Sequence, residues 1–483
     1  MSWADIYPWS PPEPGEPVVR RLYDQVRGAI LSGALKPGGR LPSSRDFSTR
    51  LGVARASVVA AYDLLLAEGY AVGRAGSGTY VSSDLSGVID VKPQAPPTSA
   101  PPPPIPARAR ILDEITFPTP QAEPRLFATG RTLLDARALD AWSVSTRRAL
   151  RTLGPVHFGY SDAAGERPLR EAITDYLRAA RGVVCDPDQV IVTSGAQHAV
   201  DIAARLLLHP GDRVWMEDPG YPATLHALAS AGVAVQHVAV DRSGLVVSEG
   251  VAAAPDARVV FVTPSHQYPL GVTLSMARRL ELLAWARETG AWIVEDDYAS
   301  EFRYAGPPLA SLQGLDGGER VIYVGTLNKA LFPGLRMGYA VVPKALATAF
   351  ANARQVIDRQ PPTLTQAILL DFMREGHFAA HIRRRRLADK AKRDALATAL
   401  TEQMGDVFEV HVPDQGMHLI AYFKDGRSDL DAEAAADRAG IYVRAISRLY
   451  RAVEPRSGLM LGFSGFPART MASGVARLKK ALS

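Results

Sequence analysis

The chain has 483 residues, of which 47% are hydrophobic and 22% charged, enough for two or three domains with sizeable cores. Its single cysteine, Cys185, excludes an intrachain disulfide and suits a reducing interior. No apolar run is long enough to span a bilayer, and the N-terminus lacks a basic-then-apolar secretion pattern, so a cytoplasmic protein is expected.

The net charge of +5 is concentrated in one place. Val18 to Ser82 holds nine of the 55 Lys/Arg and four of the 50 Asp/Glu, which leaves 46 against 46 elsewhere. A small basic module on a neutral body suggests polyanion binding, although a solvated helical surface carries the same charge. Within this module "VVRRLYDQVRGAILSG" predicts a first helix, with Val19, Leu22, Val26 and Ile30 at helical spacing and Gly33 closing it. In "LPSSRDFSTRLG", Ser43 or Ser44 is the expected N-cap of a second, short helix that stops at Gly52. "ARASVVAAYDLLLAEG" predicts a third helix, and "YAVGRAGSGTYVSS" alternates about glycines as a two-stranded wing does.

Helix, helix, turn, helix and wing resemble a winged helix-turn-helix, and the run "SGALKPGGRLPSSRDFSTRLGVARASVVAAYDLLLAEGYAVGRAGSGTYV" is similar almost throughout to GntR-type DNA-binding domains. The resemblance implies that the third helix enters the major groove with Arg55 and Ser57 near base edges. It also implies that Ser43 contacts DNA and that Arg45 and the wing around Gly76 and Gly78 hold phosphates, where Arg45 by itself reads equally as a solvated surface arginine. Five net charges per copy are modest, so a dimer on two half-sites is expected.

Beyond this module lies "VKPQAPPTSAPPPPIPARAR", Val91 to Arg110, whose proline density predicts an extended, semi-rigid spacer. We therefore divide the chain into an extension at 1–17, a DNA-binding domain at 18–83, a linker at 84–114 and a large domain at 115–483. In the large domain short β-rich runs ("QVIVTSG", "DRVWMEDPG", "ARVVFVTPS", "AWIVEDDY", "RVIYVGT") alternate with helical stretches, a βαβ rhythm that implies an α/β fold with a mainly parallel sheet. After about Val342 come long amphipathic helices and a smaller mixed C-terminal portion.

Four motifs at the ends of these runs carry candidate chemistry. "VTSGAQHAV" turns from strand to helix, so the N–H groups around Gly195, Ala196 and Gln197 suit a phosphate, as many βα turns do. "IVEDDYASEF" clusters Glu295, Asp296 and Asp297 at the end of a buried strand, next to Tyr298. Such carboxylates need cations, and magnesium is one alternative. "EDPGYPATLH" presents Tyr221 as a stacking platform or a structural tyrosine. "GTLNKALFPGLRMGY" places Lys329 after a buried strand, where its amine either snorkels to solvent or serves chemistry, with Thr326 and Arg336 close by. Together these are the parts that a phosphate-bearing aldehyde cofactor requires: an amine for a Schiff base, a carboxylate for a pyridinium nitrogen, and a phosphate cup.

In their order, "TSGAQHAV", "EDPGYP", "TPSHQYPLG", "EDDYASEFRY" and "YVGTLNKALFPGLRMGY" resemble the aminotransferase-like, fold type I domain of the MocR/GabR subfamily of GntR regulators. The resemblance covers nearly the whole chain and implies pyridoxal 5'-phosphate (PLP) as cofactor. It assigns the Schiff base to Lys329, the ring nitrogen to Asp296, the phenolic oxygen to Tyr298, ring stacking to Tyr221, and the phosphate to Ala196, Gln197, Thr326 and Arg336. Tyr160 matches a tyrosine that reaches the neighbouring subunit's phosphate, which implies a homodimer. Two positions depart from the subfamily: Asn328 stands where serine is usual, and Leu270 where a small or hydroxyl residue is common. The last strand, "GLMLGFSG", lacks the arginine that enzymes of this fold use for a substrate carboxylate, leaving Arg444 and Arg456 as candidates.

Two classes of function follow from the resemblance. In one, the protein is a DNA-binding transcriptional regulator that senses an amine, an amino acid or PLP itself through aldimine exchange at Lys329. In the other, it is a PLP-dependent aminotransferase carrying a regulatory DNA-binding module. The attached winged helix favours the regulator, with residual transaminase activity compatible with the same site.

Overall fold

The computed structural model describes residues 9–13, 15–85, 105–113, 115, 125–132, 134–306 and 309–483. The chain forms two compact units, 1–104 and 105–483, and each is described by itself. Most of the proline-rich spacer and the start of the N-terminal extension lie outside the described residues. Part of the expected spacer differs from an extended strut: Ala107–Asp113 is helical. The run "ARARILD" begins just after Pro106, so no proline ring interrupts its backbone hydrogen bonds.

The first unit holds α1 (Val18–Leu31), α2 (Ser44–Leu51), α3 (Arg55–Ala67) and a hairpin of β1 (Ala71–Arg74) and β2 (Gly78–Val81). The apolar stripe of α1 buries Leu22, Val26 and Ile30 against Val58, Tyr62 and Leu65. Ser43 caps α2 by accepting the Asp46 N–H at 3.1 Å, and Gly52 ends it in the left-handed region, φ 68°. The antiparallel hairpin pairs Ala71 with Val81 and Arg74 with Gly78.

The second unit is built on an eight-stranded sheet in the order β3, β10, β9, β8, β7, β4, β5, β6. Its strands are β3 (Val190–Thr193), β4 (Arg213–Asp218), β5 (Ala234–Asp241), β6 (Gly244–Leu245), β7 (Val259–Val262), β8 (Trp292–Asp297), β9 (Val321–Thr326) and β10 (Gly338–Val341). The neighbours among β4, β5, β7, β8 and β9 are parallel, while β10 runs antiparallel to both β3 and β9. The sheet is thus mostly parallel within an α/β fold, and its central strands read as unbroken apolar runs because both faces are covered. A second, antiparallel sheet orders β11 (Phe408–His411), β12 (His418–Phe423), β14 (Gly458–Gly462) and β13 (Arg444–Ala445), with its own core around Phe408, Leu419 and Phe463.

One carboxylate ties the two sheets together. Asp218, at the end of β4, accepts the N–H groups of Arg451, Ala452 and Val453 at 2.9, 2.7 and 2.8 Å. Leu270 joins the same seam by packing with Ile420, Tyr422, Ile446 and Met460. Its departure from a small residue therefore fills an apolar core between the sheets rather than the cavity described below. No helix among the described residues is long and apolar enough to cross a membrane.

Candidate functional site

Parallel strands put their carboxyl ends on one edge, and the turns that follow them meet there. β3 leads into Gly195, β4 into Tyr221, β7 into Thr263, β8 carries Asp296, and β9 ends at Thr326 just before Lys329. These residues line one cavity of about 430 Å³, together with Gly130, Ala196, Gln197, Tyr268, Tyr298, Asn328, Arg336, His418, Tyr442 and Arg444. Every cofactor position expected in the large domain is therefore brought together, with one exception. Tyr160 is 79% exposed, does not line this cavity, and lies beneath the Arg359 guanidinium at 4.1 Å from the ring centre.

The three carboxylates of "EDD" divide their work. Glu295 accepts the Leu312 and Gln313 N–H groups at 3.1 and 3.0 Å, at the start of a short helix. Asp297 accepts from the Arg181 guanidinium at 2.7 Å and from the Tyr323 hydroxyl at 2.5 Å. Of the three, Asp296 turns to the cavity, and its Oδ1 has no partner among the described residues. A shared magnesium site would need these carboxylates to converge, which they do not. The described residues contain no cluster of three or more His, Cys, Asp or Glu arranged to hold a metal. Burial pushes Asp296 up to about 7, reinforced by Asp297 and opposed by Lys329. The Tyr298 hydroxyl is likewise buried with no partner among the described residues.

Lys329 sits in a single turn, Leu327–Ala330, capped by the Thr326 hydroxyl, which accepts the Asn328 N–H at 3.3 Å. Its ammonium donates to the Gly130 carbonyl at 3.4 Å, and burial lowers its pKa against the opposing pull of Asp296. The amine does not snorkel. Gly195 precedes the helix Ala196–Leu207 at φ 113°, so the N–H groups of Ala196 and Gln197 open that helix without intrahelical partners. Arg336 is exposed, and no ion-pair or hydrogen-bond partner for its guanidinium exists among the described residues.

The two candidate arginines separate. Arg444 begins β13, lines the cavity, and stands near enough to Tyr221 and Tyr268 to act on their phenol groups. Arg456 stacks on Tyr422 at 3.8 Å and pairs with Glu409 in an exposed position away from the cavity lining. Sequence reasoning missed Gly130, Thr263, Tyr268, His418 and Tyr442 as lining residues. "TPSHQYPLG" contained a signal for two of them, since Thr263 and Tyr268 flank that turn. Thr263 donates to Glu217 at 2.6 Å and accepts the Tyr268 N–H at 3.0 Å, which holds the turn over β4.

In the first unit, Arg45 and Arg55 are exposed, near the start of α2 and at the start of α3, and Arg55 donates to the Ser44 hydroxyl at 3.3 Å. Ser57, in the first turn of α3, is half-buried, and the hydroxyl of exposed Ser43 is engaged as the α2 cap. Gly78 opens β2 at φ 113°, and a Cβ there would stand 3.4 Å from Arg40 Nε. This brings Arg40, unnoticed in the sequence, to the wing, where Arg74 also stacks on Tyr80 at 4.5 Å.

Comparison with known proteins matches residues 18–81 to bacterial regulatory proteins of the gntR family and residues 127–458 to aminotransferase class I and II. The "Probable rhizopine catabolism regulatory protein MocR" of Rhizobium meliloti is 38% identical over 96% of this chain and 94% of its own. The HTH-type pyridoxine biosynthesis transcriptional regulator PdxR of Corynebacterium glutamicum is 33% identical over 97% of each chain. Among solved structures, kynurenine aminotransferase from Pyrococcus horikoshii superposes with a TM-score of 0.68 at 27% identity, covering 74% of this chain and 90% of that one.

The buried acid makes a pH prediction. Asp296 is raised from its ordinary 3.8 to about 7, so the cofactor-free fold holds a proton that the unfolded chain releases. That contribution is complete at low pH and is lost as pH rises from 3.8 to about 7. Glu217, Glu295 and Glu301, each also near 7, act in the same direction. Buried histidines such as His381 and His418, lowered to about 4, act in the opposite direction over part of the same window, so the readout is a difference between two proteins. The urea midpoint of cofactor-free wild type should fall relative to that of Asp296→Asn as pH rises through this window. Parallel profiles in the two proteins would contradict the assignment of Asp296 as a protonated cavity acid.

Proposed function

The chain belongs to the MocR/GabR-type branch of GntR regulators, a winged helix joined to an aminotransferase class I and II domain, and we propose that it is a PLP-dependent transcriptional regulator. One observation carries the cofactor reading: Lys329, the unpartnered Asp296 carboxylate and the Gly195 turn line a single cavity.

The cavity's own unpaired groups fit PLP. Among the described residues Asp296 Oδ1 lacks a donor and Tyr298 OH lacks a partner, as a ring nitrogen and a phenolic oxygen would require. Gly195 leaves a cradle between two backbone N–H groups and the Arg336 guanidinium, as a phosphate would require. Lys329, its pKa lowered by burial, is the amine that would hold the cofactor's aldehyde carbon. Asp296 would keep the ring nitrogen protonated, Tyr221 would cover the ring, and Thr326 would donate its free hydroxyl proton to the phosphate. When bound, PLP supplies an electron sink and an aldehyde carbon that exchanges between amines.

Arg444 is a half-buried cation on the cavity wall with no acidic partner among the described residues, so an incoming amine that carries an anionic group is favoured there. Tyr160, with neighbours Val156 and Phe158 at 76% and 66% exposure, is available to complete a second copy's site. A homodimer would also present two winged helices to two half-sites. In that reading α3 meets base edges through Arg55 and Ser57, while Ser43, Arg45 and the Gly78 wing meet phosphates. The winged helix favours regulation over metabolic amino transfer, which needs no DNA-binding head.

Two substitutions test the halves separately. Lys329→Ala should lose the yellow cofactor spectrum and borohydride-fixed attachment of PLP; retention of both would remove Lys329 from the site. Arg55→Ala should abolish the footprint on the protein's own upstream DNA while leaving the cofactor spectrum intact. An unchanged footprint would mean that α3 does not read DNA through Arg55.

A further inference from the structure

The cavity holds one side chain whose presence the resemblance leaves unexplained. Asn328 precedes the lysine, lines the cavity, and is only 8% exposed. Its Oδ1 accepts the Met337 N–H at 2.9 Å. A backbone N–H can only donate, so this bond fixes which end of the carboxamide is oxygen. The opposite end, Nδ2, is therefore a pair of donors, and it has no acceptor among the described residues. It points at the phosphate turn: a Cβ on Gly195 would stand 2.8 Å from Nδ2, with the Arg336 terminal nitrogens 3.8 Å from the same point.

The two ends of Asn328 thus connect two loops. Oδ1 holds the strand that returns after Arg336, and Nδ2 abuts the turn that opens the helix Ala196–Leu207. Gly338, beside Met337, closes the same contact, because a Cβ there would lie 2.8 Å from Gly195 Cα and 2.7 Å from the Gly325 carbonyl. The turn, the lysine loop and β10 are packed to backbone contact around one amide.

We propose that Asn328 is a ligand of the cofactor phosphate, donating from Nδ2, and that its Oδ1 bond to Met337 positions that donor between the Gly195 turn and Arg336. This rests on the PLP reading above. Position 328 faces both the Met337 N–H and the Gly195 turn. The amide serves both, and it adds a neutral donor to a cup that already contains an exposed guanidinium.

The test compares PLP with pyridoxal, which has the same ring and aldehyde but no phosphate, by spectroscopic titration of the cofactor-free full chain. Asn328→Asp keeps an oxygen for the Met337 N–H but replaces the donor with an anionic acceptor. Asn328→Ala removes both. Loss of a hydrogen bond to a charged group corresponds to about 10-fold or more in affinity, so both variants should weaken PLP by at least that factor, Asn328→Asp the more. Pyridoxal binding should fall by a smaller factor than PLP binding in each variant, so that the ratio of PLP to pyridoxal affinity drops by about 10-fold or more, a ratio in which any loss of folded protein cancels. Equal weakening of both ligands would reduce Asn328 to a packing role and overturn the proposal, as would unchanged PLP binding. A wild-type chain that fails to take up PLP would instead overturn the functional reading on which the proposal stands.

Discussion

Asp296 and Lys329 line the same buried cavity and act on one another's charge. Burial drives each toward its neutral form, the acid upward to about 7 and the amine downward, while their mutual attraction opposes this. Among the described residues neither group has a good partner: one oxygen of the acid has none, and the ammonium has a long contact to the Gly130 carbonyl. Much of the surrounding structure serves to hold this pair in place. Asp297 is neutralised by Arg181 and Tyr323, and Glu295 is bonded to backbone, so that of three adjacent acids only one is left to the cavity. A parallel sheet makes this possible, because it delivers the ends of non-adjacent strands to one edge.

Positive groups surround the pair: Arg336, the N–H groups after Gly195 and Arg444 line the same cavity. Two guanidiniums in one lining suit a phosphate and a second anion. Asp218 matters here at a distance: its three backbone bonds fasten the 451–453 segment of the smaller sheet's subdomain to the end of β4. Arg444 belongs to that smaller sheet, so its place in the cavity wall depends on that seam.

Much of this was legible in the sequence because the chemistry and the strand ends coincide. The βαβ rhythm predicted where carboxyl ends fall, and Lys329, Asp296, Tyr221 and the Gly195 turn each follow a strand in short, recognisable runs. Contacts across large sequence separations were not legible. Nothing in the sequence says that Asp218 bonds to Arg451, that Gly130 approaches Lys329, or that Arg40 lies against the wing at Gly78. The choice between Arg444 and Arg456 needed the second sheet's register, since both flank the same strand pair and only one side chain faces inward. The helix at Ala107–Asp113 was hidden by the prolines before it, which dominated the reading of that segment.

In a PLP-dependent regulator, cofactor held at Lys329 and DNA held by the winged helix are coupled through one molecule. The most direct measurement is a DNA-binding titration of the full chain on its own upstream sequence, with and without saturating PLP, for wild type and for Lys329→Ala. The account predicts that PLP changes the wild-type midpoint or protected pattern, that the same DNA changes PLP affinity reciprocally, and that Lys329→Ala shows neither effect. Superimposable wild-type titrations in the presence and absence of PLP would contradict it.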